Sequence, residues 1–569
     1  MRFAIFLFML SLVVVASAED YVAINSMDGR DVLSGIFYAN VKGLPVRFMP
    51  VPGGDAELFT LKTGGNHSIL LIQSADVPIS GFLQADLQSK NNTVELYPSS
   101  DGGATNLDLA QRSGATSFIV VDSAYSDGAI SVLPYAAQTK SYVMLANKNN
   151  IAQVKAIVQG KKVMIYGLVD QEVRDSLASL NPETVGTGDD KYEDNVAIVK
   201  KTMDEFGINR VIIADGTFLE QGMVKGDLPV LLTGKLVPQP TYDFVKQEVL
   251  DGKLTGVMLL GNDLVVPIYD MRERIKAELA AQGLNKTLGI TVKFGQAMPS
   301  AGTGVMGLDM FQMPAYQPKL DIGEVGYNSQ SKSVMVRVDN TGDGSAYYSI
   351  EVRIKVDGND YKVFSANGTN RIDRGEQNGV QYPIDLSGVK EGNVTALVLI
   401  KYGSSRSSLE SFSSKEGPLT SISYTDNSDV AVQAARYDST KQSVLVTIKN
   451  NANQPAYIFT RLGLTMSGAA TNITGPGAES IDPGSLLVVE FPLQLSQADL
   501  AANKNVMVYL DYGARQGFLN KHGQYPVTLE EAAAAGGFPI LIVAGLAVLV
   551  ILVIVAVAAF FLMRKPQKK

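Results

Sequence analysis

The feature that most constrains the fold of this 569-residue chain is an apolar pattern that occurs three times before residue 301. Three runs rich in β-branched residues begin at Tyr21, Ser117 and Arg210, at spacings of 96 and 93 residues. Two further apolar runs follow in each unit, and segments of helical length and period lie between them. These segments include 151–158, 242–250 and 263–281. Short, continuously apolar runs are typical of strands covered on both faces. Each unit is therefore predicted to be a parallel α/β layer of three or four strands, and the three copies to pack as a pseudo-threefold assembly.

Composition excludes several classes of chemistry. The chain has no Cys, so disulfide scaffolds, Cys-ligated zinc, iron–sulfur clusters and thiol nucleophiles are excluded. Its only two histidines are His67 and His522, so a Ser-His-Asp triad or a His-rich metal site would depend on one of two residues. We therefore predict no enzymatic activity, no catalytic residue and no cofactor. Paired carboxylates of the glycosidase kind stay open, because the many acidic residues have unknown separations.

Two short motifs that resemble ligand loops are weak signals. Residues 302–307 match G-x-G-x-x-G, but no helix start follows, so a linker loop is favoured over a dinucleotide site. Residues 339–344 resemble the first half of a calcium loop, but the twelfth position is Ile350 instead of Glu. A hairpin turn is favoured there, and a structural calcium ion with other ligands is the alternative.

The third unit carries residues that resemble a known family. They are Asp190, Lys191, Tyr192 and Glu193 within 188–197, followed by VIIADGTF at 211–218, PVLLT at 229–233 and VMLLGND at 257–263. This pattern resembles the cell-wall-binding repeat of type 2, and the match is fainter in the other two units. The resemblance implies three copies in a triangular α/β module that attaches surface proteins to anionic wall polymers, with these four residues binding the polymer. The alternative for the same residues is the start of a helix over 190–206.

A second repeat lies in the β-rich region after residue 318. Residues 327–347 and 437–457 are related by an offset of 110, and eight of the 21 positions are identical. Alternating Val334, Val336 and Val338 turn one face inward, and a turn-rich segment then leads to a second strand. Two all-β immunoglobulin-like sandwiches of about 100 residues are predicted. They resemble the adhesion-type sandwich modules of archaeal and bacterial surface proteins.

Both ends of the chain carry targeting patterns. An apolar run ending in Ala16-Ser17-Ala18 predicts a cleaved secretory signal, and 24 uncharged residues followed by a basic tail predict a membrane span with the ectodomain outside. The predicted organisation is a signal peptide at 1–18, α/β repeats at 19–115, 116–208 and 209–300, a linker at 301–317, β-sandwiches at 318–425 and 426–528, a stalk at 529–539, a transmembrane helix at 540–563 and a cytoplasmic tail at 564–569. Six sequons are predicted N-glycosylation sites, namely Asn66, Asn91, Asn285, Asn367, Asn393 and Asn472.

Charge and architecture together indicate a role at the cell surface. Arg2 and the four basic residues of the tail contribute +5 to the formal net charge of −8, so the ectodomain carries −13. This acidity argues against nucleic-acid binding. The leading hypothesis is a structural S-layer or S-layer-like glycoprotein of an archaeal envelope, a membrane-anchored pillar with an outer α/β canopy whose partners are the membrane and copies of itself. An adhesin or polysaccharide-binding protein is the alternative, and an ectoenzyme is a minor one.

Overall fold

A computed structural model describes the protein from Glu19 to Glu531, apart from short gaps. The described residues are 19–50, 55–124, 126–234, 236–261, 263–293, 297–300, 304–307, 310–313, 318–365, 368–390, 392–406, 409–466, 469–493 and 495–531. They belong to two units, of which the first ends at Tyr424 and the second begins at Thr425. The predicted signal peptide, transmembrane helix and tail lie outside the described residues. Within the described ranges, no helix combines the length and the apolar character that a membrane crossing requires.

Repeat 1 is a four-stranded parallel sheet with the strand order β2-β1-β3-β4. Its elements are β1 (Tyr21–Asn25), α1 (Gly29–Lys42), β2 (Val46–Phe48), α2 (Ala56–Thr63), β3 (Ser68–Ser74), α3 (Leu83–Gln88), β4 (Thr93–Ser99) and α4 (Gly102–Ser113). All five residues of β1 are buried, as the continuous apolar run predicts for a strand covered on both faces.

Repeat 2 has the same topology, with the strand order β6-β5-β7-β8. Its elements are β5 (Ser117–Asp122), α5 (Ser126–Thr139), β6 (Tyr142–Ala146), α6 (Ile151–Val158), β7 (Lys162–Tyr166), α7 (Gln171–Leu177), a 3₁₀ turn (Ala178–Leu180), β8 (Glu183–Val185) and α8 (Lys191–Phe206).

Repeat 3 again has the equivalent order, β11-β9-β12-β13, so the prediction of three parallel α/β units is confirmed. It differs after its first strand, where a short strand and a 3₁₀ turn replace the helix found in repeats 1 and 2. Its elements are β9 (Arg210–Ala214), β10 (Phe218–Glu220), a 3₁₀ turn (Gln221–Met223), β11 (Val230–Leu232), α9 (Gln239–Leu250), β12 (Gly256–Leu260), α10 (Val265–Ala281) and β13 (Gly289–Lys293).

Local sequence explains the limits of the three helices α1, α4 and α8. Each is preceded by an aspartate whose side chain accepts a hydrogen bond from a free backbone N–H of the first turn, and each is followed by a glycine with a left-handed φ. The aspartates are Asp28, Asp101 and Asp190, and the glycines are Gly43, Gly114 and Gly207. A side chain with a Cβ is disfavoured at these φ values of 66° to 70°.

Side-chain amides connect each repeat to the next. Asn106 of α4 is fully buried; its Nδ2 donates to the carbonyl of Val143 at 3.0 Å, and its Oδ1 accepts from the N–H of Leu145 at 2.9 Å. Both partners belong to β6, the edge strand of repeat 2. Asn106 therefore acts as an additional partner for the open edge of the neighbouring sheet.

The same contact occurs twice more, and the third occurrence closes a ring. Asn195 of α8 bonds the carbonyl of Val230 at 2.8 Å and the N–H of Leu232 at 2.7 Å, on the edge strand β11 of repeat 3. Gln221 of repeat 3 bonds the carbonyl of Val46 at 2.8 Å and the N–H of Phe48 at 3.4 Å, on the edge strand β2 of repeat 1. We call Asn106, Asn195 and Gln221 the edge clamps. They join the three repeats in a cycle, as a pseudo-threefold assembly requires.

The segment predicted as a linker over 301–317 contains strands. β14 (Ala297–Ser300) and β15 (Gly304–Gly307) form an antiparallel hairpin, so the second half of the G-x-G-x-x-G match lies in a strand and not in a linker loop. β16 (Met310–Gln312) pairs antiparallel with β10, and Phe311 is fully buried 6.0 Å from the ring of Phe48. Burial of Phe311 draws this part of the segment into the α/β core.

The remainder of the first unit, which we call sandwich 1, has two antiparallel sheets packed around one apolar core. The strand orders are β22-β18-β17-β25 and β20-β19-β23-β24, with β21 on β19, and β25 joins β17 in parallel. The strands are β17 (Leu320–Asn328), β18 (Ser333–Asn340), β19 (Ala346–Val356), β20 (Asn359–Ser365), β21 (Asn370–Ile372), β22 (Gln377–Pro383), β23 (Val394–Gly403), β24 (Ser411–Pro418) and β25 (Thr420–Ile422).

The second unit, sandwich 2, repeats this topology. Its last strand pairs with both β32 and β26, so its strands form one continuous sheet. The elements are β26 (Val430–Asp438), β27 (Ser443–Asn450), β28 (Ala456–Met466), β29 (Ala469–Thr474), β30 (Glu479–Ile481), β31 (Leu486–Pro492), α11 (Gln497–Ala502), β32 (Asn505–Gly513) and β33 (Lys521–Glu531). β33 therefore includes the first three residues of the segment predicted as a stalk. The immunoglobulin-like class of both sandwiches stays a prediction.

The hairpin predicted over 339–344 is wrong. β18 pairs with β17 and β22, whereas β19 pairs with β20, β21 and β23, so the chain crosses here from one sheet to the other. The buried Asn340 holds this corner by donating from Nδ2 to the carbonyls of Gly344, Ile372 and Asp373 at 2.9 to 3.1 Å. Asn450 makes the equivalent bonds in sandwich 2, to Gln454, Ile481 and Asp482.

Candidate functional site

The four residues implied as polymer ligands lie at the start of α8, and most of their polar groups are used within the protein. Asp190 is 5 % exposed and accepts hydrogen bonds from the N–H groups of Tyr192 at 2.8 Å and Glu193 at 3.3 Å. Tyr192 is buried, Lys191 is partly buried, and Glu193 is the exposed residue of the four. These are the contacts of a helix start and its packing. Polymer binding by Asp190, Lys191, Tyr192 and Glu193 stays a prediction.

Lys191 is held by a neighbouring carboxylate. Its Nζ lies 3.6 Å from Asp127 Oδ2 and 5.2 Å from the centre of the Tyr192 ring. Burial disfavours the charge, but Asp127, Tyr192 and Glu410 together outweigh burial and raise the pKa of Lys191. Beside this pair is a cavity of about 40 Å³, which Asp122, Tyr166 and Asp194 also line. That volume holds water and excludes a sugar ring.

The carboxyl edge of the repeat 2 sheet, where ligands bind in open α/β sheets, is covered by strand ends and a loop of sandwich 1. Tyr347 donates its hydroxyl to the carbonyl of Gly188 at 2.6 Å, and Arg371 donates to the carbonyl of Val169 at 3.0 Å. Arg374 Nη2 lies 3.4 Å from Oδ1 of Asp122, the last residue of β5. The position that a ligand would occupy in repeat 2 is therefore filled by the chain itself.

Buried carboxyl groups at this covered edge have raised pKa values. Burial, with the nearby Asp170 carboxylate adding to it, raises the pKa of Asp122 to about 7. Burial and Asp373 raise the pKa of Glu376 to about 7 as well. Oδ2 of Asp122 is buried and has no hydrogen-bond partner among the described residues. Asp122 is 2 % exposed and lies between repeat 2 and sandwich 1.

An open groove of about 590 Å³ lies at the junction of repeats 1 and 2. Side chains from both repeats line it, and most are amides, carboxylates or hydroxyls. They include Arg30, Tyr97, Asp101, Asp108 and Gln111 of repeat 1 and Asn147, Asn149, Asn150 and Gln153 of repeat 2. The amides can hydrogen-bond hydroxyl groups, and the half-buried tyrosine ring can pack on an apolar ring face. Carbohydrates present both of these features.

The charges in this groove favour an uncharged ligand. Among the described residues that line the groove, Arg30 is the only cation. Its Nη2 lies 2.7 Å from Asp28 Oδ2 and 3.2 Å from Asp101 Oδ1. Tyr97 donates its hydroxyl to Asp108 Oδ2 at 2.7 Å, and burial together with this carboxylate raises the pKa of Tyr97. The tyrosine therefore stays neutral, and the carboxylates disfavour a polyanion.

Sequence reasoning missed this groove. Its lining comes from Arg30, from 97–111 and from 147–157, which no local motif connects. One internal signal could have located part of it, because the stretch from Asp101 to Asn106 corresponds to that from Asp190 to Asn195, with the helix cap and the edge clamp at matching positions.

The remaining predicted sites are the sequons and the calcium-like segment. The sequon asparagines 66, 91, 285, 393 and 472 are exposed, and Asn367 lies outside the described residues. Their glycosylation stays a prediction. In the calcium-like segment, the carboxylate of Asp339 is paired with Arg337 at 2.8 Å. Among the described residues, no three His, Cys, Asp or Glu side chains are grouped to hold a metal ion.

Comparison with known proteins assigns no family. No family model matches the chain, and no curated protein matches it. Among solved structures, Cwp8 from Clostridium difficile is similar with a TM-score of 0.38 and 16 % identity, over 46 % of this chain and 47 % of Cwp8. Red sea bream transglutaminase has a TM-score of 0.14 and 13 % identity over 38 % of this chain and 32 % of its own. The YadV chaperone has a TM-score of 0.15 and 14 % identity over 37 % of this chain and 99 % of its own. The chain thus spans about half the length of Cwp8.

Proposed function

We propose that this chain is a structural protein of the cell surface, of the S-layer or S-layer-like kind, glycosylated and without enzymatic activity. In this proposal the C-terminal apolar segment anchors it in an envelope membrane of archaeal type, two immunoglobulin-like sandwiches form the pillar, and the α/β repeats form the outer layer. Its partners are the membrane and further copies of the chain.

The observation that carries this proposal is the use of ligand positions for internal contacts. The carboxyl edge of repeat 2, the part of an α/β sheet that binds ligands, is filled by Tyr347, Arg371 and Arg374 of sandwich 1. The edge clamps join the three repeats in a cycle. A chain whose ligand positions are occupied by its own internal contacts is better suited to a load-bearing layer than to catalysis.

Electron cryotomography of envelopes from the producing cells tests the proposal. We expect a periodic surface array that disappears when the gene is deleted and returns when the full chain is restored. Copies scattered without periodicity, in cells that produce the chain at normal levels, would contradict a structural layer.

A second function, binding of an envelope polysaccharide, is favoured by the groove at the junction of repeats 1 and 2. Its amides and Tyr97 suit a neutral glycan. We expect the full chain to bind purified neutral envelope polysaccharide and Tyr97→Ala to weaken binding about 10-fold, a loss of roughly 1.4 kcal/mol. Tyr361→Ala, which removes an exposed tyrosine of sandwich 1, is the matched control. Equal binding by both variants would exclude this groove as the glycan site.

A further inference from the structure

Repeat 1 exposes apolar side chains at the carboxyl edge of its sheet. The equivalent edge of repeat 2 is covered by sandwich 1. Met27 follows β1 and is 53 % exposed, whereas Val77 and Phe82 follow β3 and are 45 % and 77 % exposed. We call these three residues the repeat 1 edge patch. Exposed Phe, Met and Val side chains grouped on one edge are typical of interaction surfaces.

The loops that carry this patch are held in place. The N–H of Met27 donates to the carbonyl of Val77 at 3.0 Å. The fully buried Asn25 accepts from the N–H groups of Ile79 and Ser80 at 2.9 and 3.0 Å and donates to the carbonyl of Ser80. The patch is therefore pre-organised, and its loops would lose little conformational entropy when a partner binds.

Repeat 2 shows what kind of partner this edge accepts. Asn25 is the last residue of β1 and corresponds to Asp122, the last residue of β5. Asp122 pairs with Arg374, which lies in the loop between β21 and β22, and Asp170 is bonded by Ser345, in the loop between β18 and β19. The partner at this edge is thus one loop end of a β-sandwich.

Sandwich 2 has the same loop end with different chemistry. The bonds of Asn340 and Asn450 align Asp373 with Asp482, so Pro483 corresponds to Arg374 and Pro455 to Ser345. Both prolines are exposed, and the adjoining Leu486 is 60 % exposed. An arginine of sandwich 1 thus meets the charged edge of repeat 2, whereas sandwich 2 presents exposed prolines at the two equivalent positions.

We propose that the repeat 1 edge patch binds the loop end of sandwich 2, around Pro455 and Pro483, in a second copy of this chain. Such a contact is head-to-tail and does not have to close, so it propagates from copy to copy. This contact joins neighbouring copies in the array of the proposed function, and the inference rests on that function.

The absence of Cys makes the contact directly testable. Two differently tagged full chains, one with Phe82→Cys and the other with Pro483→Cys, are co-produced in the same cells and oxidised on intact envelopes. Each chain then carries one thiol, so a disulfide-linked dimer with both tags reports contact between copies. We expect at least 5-fold more such dimer than for the pair of Leu61→Cys with Pro483→Cys, since Leu61 is 62 % exposed but lies on α2, outside the patch.

Three results would overturn the proposal. They are a mixed dimer no more abundant than in the control pair, a dimer formed by Phe82→Cys alone, and a dimer with Val266→Cys of repeat 3 in place of Phe82→Cys. Tomography of the same envelopes separates this test from the proposed function. A periodic array without the mixed dimer rejects only this contact, whereas the mixed dimer without an array keeps the self-contact and rejects the structural layer.

Discussion

At the scale of single residues, buried asparagines determine the irregular parts of the fold. Asn340 and Asn450 each bond three backbone carbonyls at a corner where the chain changes sheets. A buried carbonyl without a partner costs about 1 to 3 kcal/mol, so one side chain here decides the conformation of two loops. Both residues stand in the 110-residue repeat, where the sequence alone suggested only a turn.

Asn450→Ala should therefore destabilise sandwich 2, because Asn450 is fully buried. We expect a loss of about 2 kcal/mol, because the carbonyls of Gln454 and Ile481 lose their donor inside the protein. Chemical denaturation of the full chain measures it. Asn451→Ala, at an exposed neighbouring position, is the control and should change the free energy of unfolding by less than about 0.5 kcal/mol.

Asp122 should make the first unit less stable as the pH rises. Its pKa of about 7 in the folded chain exceeds its ordinary value of 3.8, so the folded state holds the proton more tightly. The resulting stability is present below about pH 4 and is lost as the pH rises through 7, by at most about 4 kcal/mol. Asp170, Asp373 and Arg374 are the charged groups that act on it.

Thermal unfolding at pH 4.5 and pH 7.5 tests this expectation. Asp122→Asn should reduce the difference in unfolding temperature between the two pH values, because the group that titrates is removed. Glu193→Gln, at an exposed position, should leave the difference unchanged. Equal pH dependence in wild type and Asp122→Asn would show that this carboxyl does not titrate in the folded chain in this range.

At the scale of elements, the sheet of each repeat has an edge strand with free backbone N–H and C=O groups. A side chain of a neighbouring repeat bonds these groups. β6 and β11 are clamped from the helices α4 and α8, each of which follows the fourth strand of its repeat, whereas β2 is clamped by Gln221 from the 3₁₀ turn between β10 and β11. The longer side chain of Gln reaches the strand from this different position. The same pair of hydrogen bonds is therefore made from a helix in repeats 1 and 2 and from a 3₁₀ turn in repeat 3.

Hydrogen exchange should separate the three edge clamps. Gln221→Ala should speed exchange of the Phe48 amide at least 10-fold and leave the Leu145 amide unchanged, because each clamp accepts from one of these N–H groups. Asn106→Ala should have the opposite pattern. If either variant raised exchange in both strands equally, the clamps would act only through global stability.

At the scale of the whole molecule, the chain divides into two units, each with its own buried side chains. The first joins the α/β repeats to sandwich 1 through the covered edge of repeat 2. Sandwich 2 forms the second unit, and its strands form one continuous sheet, whereas those of sandwich 1 form two.

Calorimetry should resolve these units as separate transitions. Asn450→Ala should lower one transition by roughly 10 °C and leave the other in place, since a loss of about 2 kcal/mol acts on a unit of about 100 residues. Asn195→Ala should lower the other transition, because its bonds lie between repeats 2 and 3. A single transition that both substitutions lower equally would show that the two units unfold together.

The sequence by itself determined the three parallel α/β units and the two related β domains. The reason is that strand-length apolar runs, helix caps such as Asp190 with Gly207, and the 110-residue offset are local properties of the chain. Only the tertiary structure decided which edges are covered and where an open groove remains. Asp122 and Arg374 are 252 residues apart, and the groove draws Tyr97 and Asn149 from different repeats. Such pairings depend on how the folded repeats and sandwiches pack, and no local pattern records that packing.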